Sequence, residues 1–471
     1  MITWQDYERA ENKTKWLQNA IISYRNSNGY KKAVEEEEYM AGRNTAIMNV
    51  VRVIYNMAGL PEPDFTKHNF RIRNKLIHRL VTDRCSYSLG NGISFPGREE
   101  QNEDEKTVTS DPIKKMLGSK FDTRLKKTAY WALSNGEAYL YVHMGYNKQK
   151  WQYTTFKKTE FLALYDEDTG DLRGGIRFWS LDWGKRPITA VLYTEQGYTK
   201  YKTPAKKYGI SALEQVEDLK PYIETVEESE AFGEEVVGTG SMTRIPIFPL
   251  YSGETRSSAL DDLKDIIDAY DMVLSGFAND VEDIPQVYWL ISGAMGMNDD
   301  QKRQLLDRLI LQHMAVIDGE NSHMQGFTQE VPYEAREHCL KQLRNQMYEN
   351  YGGFDVHIIG AGDTNDHIEA AYWPMDEEAD SFEFEIIEFV QHILGMMGIE
   401  EDEATPIFKR NRVSNQKEQT EMVMLAATEL DTRTILEKLP FISVDEVDDI
   451  LARLDKQSQE AFETTQGEED E

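Results

Sequence analysis

The sequence predicts a mainly helical α+β chain of more than one domain. Three observations carry that reading. The chain has 471 residues, more than a single core ordinarily organises. Apolar residues recur at helical spacing at both ends and through a long stretch after Ser257-Ser258. Between Glu137 and Tyr201 the period changes to short, aromatic-rich strands. A hydrophobic fraction of 40% and an aromatic fraction of 11% are enough to fill packed cores.

Trp16, Leu17, Ala20, Ile21 and Tyr24 predict one helix, and Ala46, Ile47, Val50, Val51, Ile54 and Tyr55 a second, which Pro61-Glu62-Pro63 breaks. A third runs through Ile72, Leu76, Ile77, Leu80 and Val81 and stops near Gly90-Asn91-Gly92. Asn102 to Ser110 is polar and reads as a loop; a helix from Phe121 to Leu133 ends at Asn135-Gly136.

Strands follow at Glu137 to His143, Trp151 to Phe156, Phe161 to Tyr165, Gly175 to Trp179, Ile188 to Tyr193 and Tyr198 to Tyr201, with Glu195-Gln196-Gly197 as a hairpin signal. Residues 214–236 are strongly acidic and expected to be exposed, and the prolines in Ile245-Pro246-Ile247-Phe248-Pro249-Leu250 exclude a helix there.

The clearest element is one apolar stripe: Leu260, Leu263, Ile266, Ile267, Tyr270, Val273, Leu274, Phe277 and Val281, ended by Pro285. Ser258 with Asp261 three residues on resembles a helix start. Asp261, Asp262, Asp265, Asp268 and Asp280 are expected largely off that stripe. A compact insertion follows, read as a strand at Val287 to Ile291, a helix at Asp299 to His313 and a strand at Ala315 to Asp318. Pro332 opens a helix from Tyr333 to Tyr351.

Gly352-Gly353, Gly360 and Gly362 mark a loop-rich stretch up to Pro374. A helix then runs through Phe382, Ile386, Phe389, Val390, Ile393 and Leu394 to Gly395 or Gly398. Three short helices are expected at Gln416 to Leu430, Thr432 to Leu439 and Val444 to Leu454, and the acidic stretch from Gln457 onward reads as disordered.

The chemistry search excludes more than it nominates. There are 83 acidic and 52 basic residues, a net charge of −31, which argues against tight non-specific grip on nucleic acid. It leaves room for a protein that encloses DNA without holding it. The two cysteines, Cys85 and Cys339, form no CxxC pattern and predict no disulfide.

No GxxxxGK[ST] loop is present, and the lone Gly238-Thr239-Gly240 reads as a turn rather than a nucleotide site. His313, His323 and His338 fit no metal-ligand spacing. Asp166-Glu167-Asp168-Thr169-Gly170-Asp171 has its glycine one place early for a calcium loop and Arg177 where that loop needs a glutamate, so a hairpin turn is expected. Carboxylate runs such as Glu35 to Glu38 and Asp376-Glu377-Glu378 are too common in so acidic a chain to nominate an acid/base pair. No catalytic residue, cofactor site or metal site is expected. Neither is a membrane span or a secretory leader: no run of about twenty apolar residues occurs, and the residues after Met1 show no basic region before an apolar one.

Three segments resemble one family. The first is Tyr39-Met40-Ala41-Gly42-Arg43-Asn44, followed by Asn74-Lys75-Leu76-Ile77 through Tyr87-Ser88-Leu89-Gly90-Asn91. The second, the most specific, is Ile245 to Tyr251, then Ser258-Ala259-Leu260-Asp261-Asp262-Leu263, Ile267-Asp268-Ala269-Tyr270-Asp271, Ser275 and Asn279-Asp280-Val281-Glu282-Asp283. The third is Phe408-Lys409-Arg410-Asn411-Arg412 with Asn415 and Glu418, then Thr434 to Pro440 before Asp445-Glu446-Val447. In this order, over roughly residues 35 to 455, the chain is similar to the SPP1-type portal family of tailed bacteriophages.

The resemblance implies a portal-type architecture forming a ring: a wing at 1–255, a first stem helix at 256–284, a clip at 285–332 and a second stem helix at 333–351. A tunnel loop region at 352–375, a wing return helix at 376–414, a crown at 415–456 and a disordered tail at 457–471 complete it. One departure is Thr364 to Ala370, with Pro374 beyond, where the family shows a Ser-Gly-x-Ala-like helix start. The implied protein is a non-enzymatic virion subunit, present in host cytoplasm during assembly. About twelve copies would surround passing double-stranded DNA. Its implied partners are the terminase large subunit, the major capsid and scaffold proteins and the head-tail connector, with no membrane.

Leu263, Ile267, Tyr270, Leu274 and Phe277 are the expected stem-packing residues, and Lys341, Arg344, His357, Asn365 and His367 the candidates for the DNA channel. An acidic lumen would let DNA slide by repelling phosphates, and Lys302, Arg303, Arg308, Arg336, Lys341 and Arg344 are either dampers of that repulsion or ordinary surface pairs. The alternatives are another phage head or connector protein, or a metal-dependent nucleic-acid-processing enzyme.

Overall fold

The computed structural model describes residues 2–55, 59–65, 67–95, 112–144, 150–180, 188–204, 209–229, 233–240, 244–283, 288–292, 323–327, 332–355, 365–399, 405–412, 416–428 and 430–439, with 298, 300, 301, 303, 304, 447, 450, 451, 453 and 454. The described chain divides into two units, one of Met1–Glu37, Ile77–Asp262 and Tyr348–Glu471, the other of Glu38–Leu76 and Leu263–Met347.

The first unit holds helices α1 (Trp4–Arg9) and α2 (Lys13–Asn26) and most of α3 (Asn28–Met40). It continues with α5 (Leu76–Leu89, from Ile77 on), β3 (Ile93–Ser94), α6 (Pro112–Leu117) and α7 (Phe121–Asn135). Its strands β4 (Glu137–Met144), β5 (Trp151–Lys157) and β13 (Ile247–Tyr251) form a three-stranded sheet in the order β13-β4-β5. Strands β6 (Phe161–Tyr165), β7 (Leu172–Trp179), β8 (Thr189–Thr194), β9 (Gly197–Lys202) and β10 (Glu214–Gln215) form a five-stranded antiparallel sheet.

Alternation of side chains gives each sheet two working faces. In the five-stranded sheet, Leu162, Leu164, Ile176, Ala190 and Leu192 join Leu17, Ala20 and Ile21 of α2 in one core. Phe161, Val191 and Tyr193 instead face Tyr139, Phe156 and Ile247 of the three-stranded sheet, with Ile245 just before β13. Strand β4 is buried on both faces, which explains its continuous run of buried residues Ala138, Tyr139 and Leu140.

The expected turn at Asn135-Gly136 is present: Gly136 stands at φ +79°, left-handed, and closes α7. A Cβ there would collide with the carbonyl oxygen of Arg256. Gly136→Ala is expected to cost about 2 kcal/mol or more, combining that collision with the left-handed strain, as read from the urea midpoint of unfolding.

The calcium-like run is a hairpin turn, as expected. Asp166 accepts from the backbone N–H groups of Asp168 (2.9 Å) and Thr169 (3.2 Å), and Gly170 takes φ +75°. Cys85 is buried, its thiol pushed up to about 12 by burial, and Cys339 is exposed; neither is in a disulfide.

Several expectations are corrected. The helix expected across Ala46 to Tyr55 is one turn only, α4 (Thr45–Met48), followed by β1 (Val53–Tyr55) paired antiparallel with β2 (Pro61–Pro63). The β-branched run Val50, Val51, Val53, Ile54 favours extended backbone once the helix has stopped. Ile72 is not helical, because α5 starts at Leu76. Gly238-Thr239-Gly240 is not a turn but the end of β12 (Gly233–Gly240), which pairs with β11 (Ile223–Ser229) inside the stretch read only as acidic.

In the second unit β14 (Tyr288–Ser292) pairs with β15 (His323–Phe327). The strand expected at Ala315 to Asp318 lies outside the described residues, as do most of the 299–313 helix and the tail from 457. Helix α9 (Tyr333–Tyr351) ends where Gly352-Gly353 predicts: Gly353 N–H reaches back to Tyr348 C=O (2.8 Å), and Gly352 takes φ +62°.

Helix α10 runs from Asn365 to Met396 with Pro374 inside it, so the expected boundary between 375 and 376 falls within one continuous helix. Proline removes one backbone donor, a loss that a helix of 32 residues with Ile368, Tyr372, Met375, Ala379, Phe382 and Ile386 buried absorbs. Beyond it stand β16 (Ile407–Phe408), paired with β3, then α11 (Gln416–Leu425) and α12 (Thr432–Lys438).

Candidate functional site

Helix α8 (Ala259–Asp283) begins as its sequence predicts: Asp261, three residues past Ser258, accepts from the Ser258 N–H at 2.9 Å. The next turns bury Leu263 and Ile267 completely. Continuing that row in steps of four gives not apolar residues but Asp271, Ser275 and Asn279, which are 0%, 3% and 5% exposed. A buried polar row must find partners. It finds them on the extended segment before α5.

Asp271 accepts from the Asn74 N–H (2.9 Å), Ser275 from the Ile72 N–H (2.9 Å) and Asn279 from the Phe70 N–H (2.7 Å). Ser275 and Asn279 also donate to the Ile72 and Phe70 carbonyls at 3.3 and 3.4 Å. The match is metric: four helical residues rise about 6.0 Å and two extended residues about 6.6 Å. The side chains of α8 therefore stand in for a neighbouring strand, running antiparallel to residues 70–74.

Two residues from the first quoted segment complete this arrangement. Asn44, fully buried, donates through Nδ2 to the Asn74 carbonyl (3.2 Å) and to Asp271. Tyr39 is also fully buried and donates to Asp268 at 2.6 Å. Burial and that carboxylate push the Tyr39 hydroxyl up to about 12. At Asp271 burial outweighs the hydrogen bonds and raises the carboxyl above its ordinary range.

Further along the same helix Asp280 pairs with Arg336 of α9 and lies 3.9 Å from Arg52. Phe277 meets Tyr333 edge-on, centroids 5.5 Å apart, with the Arg336 guanidinium 5.9 Å from the Phe277 ring. Arg336 is thus an ion-pair partner of Asp280, and Asp261, Asp268 and Asp280 each have a partner within the chain. Of the five acids expected on the polar face, Asp261, Asp262 and Asp265 are exposed, while Asp268 and Asp280 are half-buried.

In the first unit the third quoted segment is clamped by charge. Arg410 reaches Asp376 (3.0 Å), Glu383 (2.9 Å) and Asp380, spaced along one face of α10. Arg412 donates to the Tyr87 hydroxyl (2.6 Å) and to Asp376, and Tyr87 itself donates to Asp376. Backbone contacts fix the same segment: Asn411 N–H donates to Tyr87 C=O (2.9 Å), and Asn91 Nδ2 donates to Lys409 C=O (3.0 Å). Asp376, which sequence alone could not separate from chance carboxylates, is the hub.

All three quoted segments therefore have defined structural work. The family model of phage portal proteins, SPP1 Gp6-like, matches residues 19–461. The chain belongs to this family. It is 22% identical over 425 residues to the portal protein of Bacillus phage SPP1, covering 86% of this chain and 80% of that one. It is 23% identical over 393 residues to the portal protein of Clostridium phage phiCD119, covering 79% and 82%. Among solved structures it is similar, at a TM-score of 0.41 and 10% identity, to a chain in the virion of a native gene transfer agent particle, covering 84% of this chain and 97% of that chain.

Within this portal-family chain the expected packing residues divide. Leu263 and Ile267 are core, while Tyr270, Leu274 and Phe277 stay half-buried. Lys341 is exposed and Arg344 half-buried, one turn apart on α9. His367 is exposed in the first turn of α10. Asn365 opens that helix, and its side chain, like the whole of His357, lies outside the described residues. The polar row was missed in role though not in identity: Asp271, Ser275 and Asn279 were quoted as signature residues. Their spacing of four, in line with Leu263 and Ile267, was the available signal.

Proposed function

We propose that the chain is the subunit of a ring of about twelve copies forming the channel through which DNA enters and leaves a tailed-phage capsid at one vertex. The observation that carries this reading is the family match over residues 19–461, nearly the whole chain. A structural role without catalysis, within the virion after assembly in host cytoplasm, is part of it. Helices α8 and α9 then serve as the paired stem helices, and residues 285–332 between them as the clip that meets the terminase large subunit and later the head-tail connector. Residues 1–255 and 376–414 form the wing, and 415–456 the crown, toward the major capsid and scaffold proteins.

The half-buried Tyr270, Leu274 and Phe277 supply apolar area for a neighbouring copy. A net charge of −31 disfavours adhesion of phosphates, so DNA slides rather than sticks, with Lys341, Arg344, His357, Asn365 and His367 as the candidates for the few contacts it makes.

Native mass spectrometry with negative-stain imaging of the purified protein tests the reading. A ring of about twelve subunits around a central hole is expected. A compact dimer that cleaves DNA with a divalent metal overturns it.

A further inference from the structure

The hairpin of β1 and β2 is exposed along all six of its residues, with Val53 49%, Ile54 46% and Tyr55 72% accessible. Val51 (50%), Leu60 (61%) and Phe65 (92%) flank it. A two-stranded ribbon with no covered face is marginal by itself, and so much contiguous apolar surface marks an interface.

The two edges of the ribbon differ. Asp64 N–H donates to the Arg52 carbonyl at 2.9 Å. By antiparallel alternation the next bonded pair is Ile54 with Glu62, leaving Val53, Tyr55, Pro61 and Pro63 with main chains facing outward. The outer edge of β2 therefore carries prolines where donors would be, and cannot extend the sheet. The outer edge of β1 keeps the N–H groups of Val53 and Tyr55, which bond nothing among the described residues.

Beside the hairpin runs a segment of opposite charge to the rest of the chain. Residues 67–75 contain Lys67, Arg71, Arg73 and Lys75 and no acid, in a protein of net charge −31. This segment is tied to the foot of the hairpin: Asn69 donates to the Val50 carbonyl (3.2 Å) and Arg71 to the Met48 carbonyl (2.8 Å).

Resting on the ring reading above, we propose that the open edge of β1 takes up a strand from the next copy of this chain, while the basic segment 67–75 meets that copy's acidic surface. A second copy fits better than DNA. Phosphate contacts use cations and leave apolar side chains unrewarded, whereas another copy offers both negative charge and apolar area. The contact is heterologous, one copy's hairpin on a different patch of the next, which is the kind that closes into a ring. The prolines on β2 restrict strand addition to one side, so each copy accepts one neighbour there.

The test uses the full-length chain. Val53→Pro removes one outward donor without touching the β1–β2 bonds, and Ile54→Ser removes exposed apolar area. Each is expected to lower the ring fraction at least tenfold at equal concentration by native mass spectrometry, with helical circular dichroism unchanged. A photo-crosslinking phenylalanine analogue at Tyr55, in a mixture of isotopically heavy and light chains, is expected to join heavy to light. If the wild type forms rings while both variants ring equally well, or Tyr55 crosslinks only within its own chain, to DNA or to another protein, this proposal is overturned and the ring reading stands. A wild type that never forms a ring overturns both.

Discussion

Asp271→Ala is expected to destabilise the protein by about 3 kcal/mol, whereas Asp271→Asn costs less than about 1 kcal/mol. Alanine removes the acceptor shared by the half-buried Asn74 N–H and side-chain amide and by the fully buried Asn44 amide. Asparagine keeps one oxygen for Asn74. Its new NH2 faces Asn44, whose own Oδ1 has no hydrogen-bond partner and can turn to accept it. The exchange forfeits the Asn44 bond to the Asn74 carbonyl but removes a buried charge. Urea unfolding gives the energies. Hydrogen exchange at residues 70–74 gives the location, with faster exchange at Phe70, Ile72 and Asn74 in the alanine variant alone.

The same carboxyl has a pH signature. Burial raises its folded pKa above the ordinary value. As pH rises, the unfolded chain therefore loses this proton first, and stability falls as pH climbs from about 4 through the folded pKa. Asp271→Asn carries no such group, so its stability is expected to fall less over that window. Equal slopes for wild type and Asp271→Asn would mean that Asp271 is not the source.

Most of the secondary structure was legible because its signals are local. The glycine stop of α7 at Gly136, the strands from Glu137 to Tyr201, the Asp261 carboxylate on the Ser258 N–H at the start of α8 and the glycine end of α9 each follow from residues within a few positions. Failures came where tertiary partners decide. Ile72 has helical spacing with Leu76, yet its N–H is taken by Ser275, about two hundred positions away in sequence. Pro374 looks like a boundary, and only the burial of residues on both sides of it explains why α10 runs through. The acids of α8 look uniformly like a solvated face, although Asp271 is core and Asp268 and Asp280 are bonded within the chain. Charge in a sequence says nothing about which carboxylate has found its donor.

Arg410→Ala is expected to cost about 3 kcal/mol and to release residues 405–412 from the body of the first unit. Arg410 is 20% exposed, and its partners Asp376 and Glu383 are 17% and 11% exposed, so these pairs are screened less than surface ones. Asp380 is 61% exposed and contributes least. Without the guanidinium, carboxylates spaced four and three residues apart share one helix face and repel. Raising sodium chloride from about 0.05 to 0.5 M should therefore stabilise the variant relative to the wild type. Arg410→Lys should recover only part of the loss, since one ammonium cannot replace a planar group that bonds three carboxylates at once. The readouts are the urea midpoint and hydrogen exchange at Phe408 and Asn411, whose backbones sit on β3 and on the Tyr87 carbonyl. Unchanged protection there in Arg410→Ala would show that strand pairing and the Arg412–Tyr87–Asp376 chain suffice. Loss of protection with a salt-dependent midpoint would show that the segment is held by charge, and that the arginine of the Phe408 to Arg412 signature is what folds it back onto the long helix.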